Sequence, residues 1–188
     1  FLGQLPGEWA YSIAGQLSWI NLIYEIVNEA IILPLFFFVG KVIENKNEFI
    51  NRLKTGLLIS LLIYSILSIL IIIYAEQMLS AMATTKEIIP ESAKYVRIES
   101  IANIFGILLS FSSVALISLG KDKLIYILTV TKLVLCLIFD TFLVSTLPFS
   151  ANLGVNGIAY SNVIVNGLLF VTVIVILAKQ GYSILNKD

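Results

Sequence analysis

The sequence predicts an all-α protein, a polytopic membrane helix bundle with five transmembrane helices. Hydrophobic residues make up 59% of the 188 residues and charged residues only 13%, whereas a soluble domain normally has about 25% charged residues. Five apolar stretches follow one another, each long enough for a helix to cross a hydrocarbon core of about 30 Å. They lie at about 9–39, 56–77, 91–119, 124–147 and 157–178, before a polar cytoplasmic tail or linker at 179–188.

The first predicted helix carries a polar stripe. Asn21, Glu25, Asn28 and Glu29 are spaced i, i+4, i+7 and i+8, which places them on one face. A polar stripe on an otherwise apolar helix is typical of a helix that lines a cavity inside a bundle. The alternative is an amphipathic helix on the membrane surface, but such helices are usually rich in Lys and Arg, and none precedes Lys41.

The segments that connect the predicted helices are recognised by their charged, proline and asparagine residues. The run Lys41–Lys54 holds four basic and two acidic residues and is predicted to be a solvated loop with at most a short helix at its end. Gly56–Ala75, without a charge, is the clearest membrane span. Pro90 suits the first turn of the third helix, and Asn156 is predicted to cap the last helix.

The fourth predicted helix, 124–147, carries Lys132, Cys136 and Asp140 inside an apolar stretch. A charged side chain in hydrocarbon costs on the order of 3 kcal/mol on insertion scales. Lys132 and Asp140 must therefore face protein or water, which makes Asp140 the first candidate for a working site. The alternative is that Lys132 extends to an interface and Asp140 only holds helices together.

The orientation follows from the Lys and Arg residues in alternate connections. One side of the membrane holds eight of them and the other holds three, and the richer side is predicted to be cytoplasmic. The chain then starts outside and ends inside a plasma (inner) membrane, and an external start implies a missing first helix. The eight are Lys41, Lys46, Arg52, Lys54, Lys121, Lys123, Lys179 and Lys187.

This topology allows polar residues to be matched by depth. At 1.5 Å per residue, Asp140 lies about 10 Å from the outer end of its helix, and Asn162 about 9 Å from the outer end of the next. Cys136 and Asn166 lie one turn deeper in the same two helices, again at similar depths. We therefore predict an outer polar cluster in which Asp140 meets Asn162.

Glu25 and Lys132 lie nearer the middle of their helices. A buried charge is costly without a partner, so we predict an ion pair between them. Together with Asn21, Asn28 and Glu29, they form the set predicted to line a cavity and to contact substrate.

Composition excludes several classes of site. The formal net charge is zero, so there is no basic face for nucleic acid. The chain has one Cys and no His, which excludes an intramolecular disulfide, a Cys/His metal site and any Ser-His or Cys-His catalytic pair. We predict that the protein is not an enzyme and has no catalytic residues, no metal and no organic cofactor.

Several stretches, taken in their order and spacing, resemble the multidrug and toxic compound extrusion (MATE) family. They are EAIILPLFFFVGKVIENKNEFINRLKTG, GLLISLLIYSILSILIIIYAEQMLSAM, ESAKYVRIESIANIFG, ISLGKDK and LGVNGIAYSNVIVN. The resemblance covers nearly the whole chain. It implies the first half of a twelve-helix, two-lobed antiporter, with five of the six helices of a MATE-type lobe and without the first.

The resemblance also implies a function. Members of this family export drugs and other organic cations by alternating access, in exchange for a proton or Na⁺. The expected partners are the lipid bilayer, a small organic cation, the missing first helix and the second lobe. The family's fifth helix often carries an Asn and, one turn later, an Asp. Here Asp140 keeps the Asp position and Cys136 stands in the Asn position, so the implied coupling-ion residues are Asp140, Asn162, Cys136 and Asn166.

Two other functions remain open. A lipid-linked oligosaccharide flippase of the same superfamily typically has a strongly cationic lumen. The residues predicted to line the lumen here include three acidic ones, Glu25, Glu29 and Asp140, and one basic one, Lys132. That balance favours cationic or zwitterionic cargo. A non-transporting membrane subunit is the other alternative, in which the polar residues would bind a partner's helix.

Overall fold

The computed structural model describes residues 9–82, 86–145 and 147–184, with side chains from Leu17 onward. Within these residues the chain forms five α-helices and no strand, which confirms the predicted all-α class. All five helices are long and apolar enough to cross a membrane. They are α1 (Trp9–Gly40), α2 (Lys46–Ala81), α3 (Ile89–Ser118), α4 (Asp122–Leu143) and α5 (Val155–Lys179).

α3 is the central helix of the bundle. It contacts each of the other four helices and packs most extensively against α5 and α2. α4 packs mainly against α5 and α3, and none of its side chains is fully buried. Its outward side exposes apolar residues such as Tyr126, Val130 and Leu137, as expected for a helix that contacts acyl chains on one side.

α3 and α5 run parallel and in register. Three side-chain hydrogen bonds join them at sequence separations of 65, 63 and 64 residues. A nearly constant separation is possible only if both helices advance in the same direction by the same rise per residue. The bonds join Asn156 to Glu91, Asn162 to Glu99 and Asn166 to the Ala102 carbonyl.

A buried hydroxyl network fixes α1, α2 and α3 to one another. Ser68 Oγ donates to the Ser100 carbonyl at 3.0 Å and lies 3.0 Å from the Tyr24 hydroxyl. Because Ser68 has used its only proton, Tyr24 is the donor in the second bond. The Tyr64 hydroxyl donates to the Tyr24 carbonyl at 2.8 Å. These polar atoms therefore have the partners that an apolar environment demands.

The predicted loop at 41–54 is wrong in its second half, because α2 begins directly after Asn45. The Asn45 side chain accepts a hydrogen bond from the backbone N–H of Glu48 at 3.2 Å, which caps the helix. Arg52 pairs with Glu48 at 2.7 Å, one turn later, and donates to the Phe38 carbonyl at the end of α1 at 2.8 Å. Charged residues thus continue the helix beyond its apolar span.

Other predicted boundaries shift by smaller amounts. α4 ends at Leu143, four residues before the predicted 147, because the following loop folds back and donates to its last carbonyls. Asn156 is not the cap of α5. Gly154, with φ +60°, takes that position, while Asn156 lies in the first turn and donates to Glu91. Pro90 lies in the first turn of α3, as predicted.

Candidate functional site

A polar cavity of about 300 Å³ lies within the bundle, and all five helices contribute to its lining. Four of the five side chains predicted to line such a cavity do so: Asn21, Glu25, Asn28 and Lys132. Glu29 is the exception, since it is exposed on α1 and does not border this cavity. The polar stripe of α1 therefore faces the cavity over most of its length, although contact with substrate stays a prediction.

Glu99 is the acidic residue of the cavity that lies deepest in the protein. Both oxygens of its carboxylate accept hydrogen bonds from Asn162 Nδ2, at 3.0 and 3.1 Å. The Lys132 ammonium on α4 interacts electrostatically with it across the cavity. One amide and one ammonium, from two different helices, thus stabilise a carboxylate held by α3.

This arrangement corrects the predicted cluster of Asp140 with Asn162. Asn162 donates to Glu99 instead, because α3 and α5 are in direct parallel contact and bring these two residues to one level. Depth along the membrane does not by itself determine which face of α5 meets which helix. Asn162 therefore borders the central cavity, whereas Asp140 does not.

Asp140 faces Ser161 on α5. The geometry falls short of a hydrogen bond, since Asp140 Oδ1 and Ser161 Oγ are both buried without a partner among the described residues. Cys136, one turn before Asp140, is half-buried and packs against the apolar core. The Asp140 carboxylate therefore points into protein rather than into the acyl chains, beside a hydroxyl with unused hydrogen-bonding capacity.

The predicted ion pair between Glu25 and Lys132 is wrong. Both residues line the cavity, but no ion pair joins them in the part of the chain that the structure describes. Glu25 is exposed on α1, whereas the charge of Lys132 acts on Glu99 and Cys136. The acidic residue on which the Lys132 charge acts therefore lies on α3, the central helix.

The cavity wall also holds polar atoms without a partner. Asn166 is 8% exposed and donates to the Ala102 carbonyl at 3.2 Å, but its Oδ1 accepts no hydrogen bond from the described residues. Asn103 Nδ2 is likewise buried and unpaired. Most buried polar groups in proteins are satisfied by protein or by water. A donor and an acceptor on one cavity wall therefore provide capacity to bind a polar molecule.

Sequence reasoning missed Glu99 because it lies among charged residues at the start of the third helix, where an acidic side chain is ordinarily solvated. A usable signal was present in the spacing. Glu99 and Asn103 are four residues apart on α3, and Asn162 and Asn166 are four residues apart on α5. Two polar pairs at i, i+4 on helices that enter from the same side predict a shared polar interface.

The sequence model of the MatE family matches residues 39–142, which is more than half of the chain. The chain belongs to the MatE family. The matched segment runs from the end of α1 almost to the end of α4, and it includes Glu99, Asn103, Lys132 and Asp140. No curated protein and no solved structure matches the chain significantly. The family assignment confirms the predicted resemblance and makes the protein a multi-pass membrane transporter of the MatE type.

Proposed function

We propose that this MatE chain forms one lobe of a cation-coupled antiporter that exports organic cations from the cytoplasm across the plasma membrane. A further helix before α1 and a second lobe would complete the transporter around the polar cavity. The observation that carries the proposal is the charge balance of that cavity: in its described lining, the carboxylates of Glu25 and Glu99 face a single ammonium, that of Lys132.

This balance favours a positively charged substrate. Opposite charges attract more strongly in an environment of low dielectric constant than in water. A cation in the cavity would gain the attraction of Glu25 and Glu99, together with the carbonyl oxygens of the Asn side chains on α1 and α5. A ligand with an N–H group would also pair with the vacant acceptor at Asn166 Oδ1.

Asp140 is proposed as the carboxylate that binds the coupling ion. It lies outside the lining of the cavity, so ion and substrate would occupy neighbouring rather than identical positions. Its vacant Oδ1 and the Ser161 hydroxyl supply oxygen atoms for a proton or for Na⁺. Cys136 is a poor ligand for Na⁺ because hard cations prefer oxygen, so the thiol at this position favours the proton.

Transport then follows from differential affinity. A ligand shifts a conformational equilibrium only as far as its affinities for the two states differ. In the proposed cycle, ion binding at Asp140 favours one of the inward-open and outward-open states, and substrate binding in the cavity favours the other. The lobes rock around the central site, as in other transporters built from repeats.

The experiment is transport by the complete transporter in proteoliposomes, with a fluorescent organic cation such as ethidium outside. An outward gradient of the coupling ion should drive uptake of the cation, and a reversed gradient should not. A protonophore that abolishes uptake identifies the proton, whereas uptake that depends only on the Na⁺ gradient identifies Na⁺. Cation movement that ignores both gradients would contradict antiport.

The flippase alternative has less support from the cavity. A lipid-linked oligosaccharide carries its negative charge on a diphosphate, and Lys132 is the one cationic side chain in the described lining. Translocation of a fluorescent lipid diphosphate by the same proteoliposomes, without any effect of ethidium on it, would favour the flippase over the antiporter.

A further inference from the structure

Lys132 lies too far from both ends of its helix for its ammonium to reach a membrane surface. It is the eleventh residue of α4, which runs from Asp122 to Leu143. About 15 Å therefore separates it from either end of the helix, whereas the four-carbon stem of a lysine extends roughly 6 Å. The ammonium must consequently be stabilised within the bundle.

The side of α4 that carries Lys132 is the side directed into protein. Val130 and Leu133 expose more than half of their surface, whereas Lys132 is half-buried and lines the central cavity. Cys136 and Asp140 follow it by four and eight residues and continue the same helix face. A charged residue that faces the interior of a membrane bundle is a candidate for a functional role.

The carboxylates that share the cavity with Lys132 belong to two other helices. Glu25 on α1 and Glu99 on α3 line it as well, and the charge of Lys132 acts on Glu99. Among the described residues, no ion pair joins Lys132 to either carboxylate. The ammonium and the carboxylates therefore border the cavity without direct contact, and a ligand in the cavity meets both signs of charge.

The charges of this lining limit the charge of a ligand that fits it. Two carboxylates and one ammonium give the described lining one net negative charge. The attraction of a cation to the lining grows in proportion to its charge, whereas the cost of removing it from water grows with the square of that charge. A monovalent cation leaves the occupied cavity neutral, but a divalent cation leaves one positive charge without a partner, which is costly in a site shielded from water.

We propose that Lys132 makes the central cavity selective for monovalent over divalent organic cations. Its ammonium offsets one of the two carboxylates, so that the lining balances only one positive charge of a ligand. This inference rests on the proposed function, because it assumes that the cavity takes an organic cation, and it adds a limit on the charge of that cation. Lys132 is thus a residue that determines specificity through its charge, without coordinating the substrate.

The test compares ethidium with propidium, which share a phenanthridinium chromophore and carry one and two positive charges. Both are titrated by fluorescence against the purified complete transporter in neutral detergent, and the ratio of their dissociation constants is measured. Lys132→Met removes the charge and keeps most of the length of the side chain, whereas Lys132→Arg keeps the charge. Lys123→Met is the matched control, since Lys123 is exposed in the first turn of the same helix.

Lys132→Met should shift the ratio of dissociation constants roughly 10-fold in favour of propidium, because one like charge fewer opposes the second positive charge. Lys132→Arg and Lys123→Met should each keep the ratio within about twofold of the parent. The ratio is insensitive to a partial loss of folded protein, which affects both dyes equally. Lys132→Gln, which also removes the charge, replaces the methionine variant if that variant does not fold.

Two results would overturn the inference while leaving the proposed antiport standing. An unchanged ratio in Lys132→Met would show that the ammonium only stabilises Glu99, and an equal shift in Lys123→Met would show a general effect of surface charge. Failure of the parent protein to bind ethidium would instead contradict the proposed function, and this inference with it.

Discussion

Asn162 Nδ2 lies 3.0 Å from Oε1 and 3.1 Å from Oε2 of Glu99, so a single amide donor on α5 is shared by both oxygens of a carboxylate on α3. This contact lies between two further bonds of the same parallel register, Asn156 to Glu91 and Asn166 to Ala102. The side chain that we place at the centre of substrate binding is therefore positioned by the most extensive helix contact of the bundle.

Replacing Glu99 by Gln should weaken binding of an organic cation to the protein by roughly 10- to 100-fold. A hydrogen bond or contact to a charged group contributes about 1.5–3 kcal/mol, and Gln keeps the shape of the side chain without its charge. Fluorescence titration of purified protein with ethidium measures the effect. Glu87→Gln removes one carboxylate at an exposed position before α3 and should change affinity little. Equal affinities for the two variants would exclude Glu99 from the substrate site.

Replacing Asp140 by Asn should abolish gradient-driven accumulation while leaving ethidium binding intact, because Asp140 does not line the central cavity. Accumulation should fall to the level of vesicles without an ion gradient. Asp122→Asn is the matched control, since Asp122 is exposed in the first turn of the same helix. Undiminished gradient-driven accumulation by Asp140→Asn would remove Asp140 from the coupling mechanism.

The number, order and approximate position of the helices could be predicted from the sequence, because uninterrupted apolar runs mark the part of each helix inside the membrane. The same signal misses whatever extends beyond the membrane. α2 continues into charged sequence because Asn45 caps it and Glu48 pairs with Arg52. Both are local contacts of polar residues, to which an average hydropathy is insensitive.

The candidate site was predictable in part of its composition, without Glu99, and not in its pairing. Asn21, Glu25 and Asn28 share a helix face, and that face borders the cavity. The partner of Asn162 depends on how α5 is rotated against α3, which spacing within one helix does not determine. That rotation is set by two features: the close contact of Gly157 with the end of α4, and the three side-chain hydrogen bonds between α3 and α5.

Ser68 and Ser60 are both fully buried on α2, but they differ in their partners. Ser68 bonds Tyr24 and the Ser100 carbonyl, whereas Ser60 Oγ has no partner among the described residues. Ser68→Ala should therefore lower the free energy of unfolding by about 1–3 kcal/mol, because the Tyr24 hydroxyl and the carbonyl both lose a partner. Ser60→Ala should be neutral or stabilising, since it removes a buried hydroxyl without a hydrogen bond. Thermal unfolding in detergent distinguishes the two, and equal melting temperatures would contradict the assigned network.

Gly157 and Gly167 both lie on α5, but only one of them meets a neighbouring backbone. A Cβ at Gly157 would lie 2.8 Å from Val144 Cγ2 and 2.9 Å from the Leu143 carbonyl oxygen, whereas at Gly167 the nearest heavy atom is Phe105 Cδ1 at 3.9 Å. A backbone oxygen at that distance cannot move aside without displacing the end of α4. Gly157→Ala should therefore destabilise the protein by about 1–3 kcal/mol, as overpacking of a close contact does.

Gly167→Ala should be neutral or stabilise the protein by up to about 1 kcal/mol, because alanine has the higher helix propensity and the methyl group meets only ordinary contacts. The measurement is the apparent melting temperature of the two variants and the parent in the same detergent. Gly157→Ala should also weaken ethidium binding, because a shift of α5 moves Asn162 away from Glu99, whereas Gly167→Ala should not. A Gly157→Ala protein as stable as the parent would show that α4 and α5 are not in the contact described.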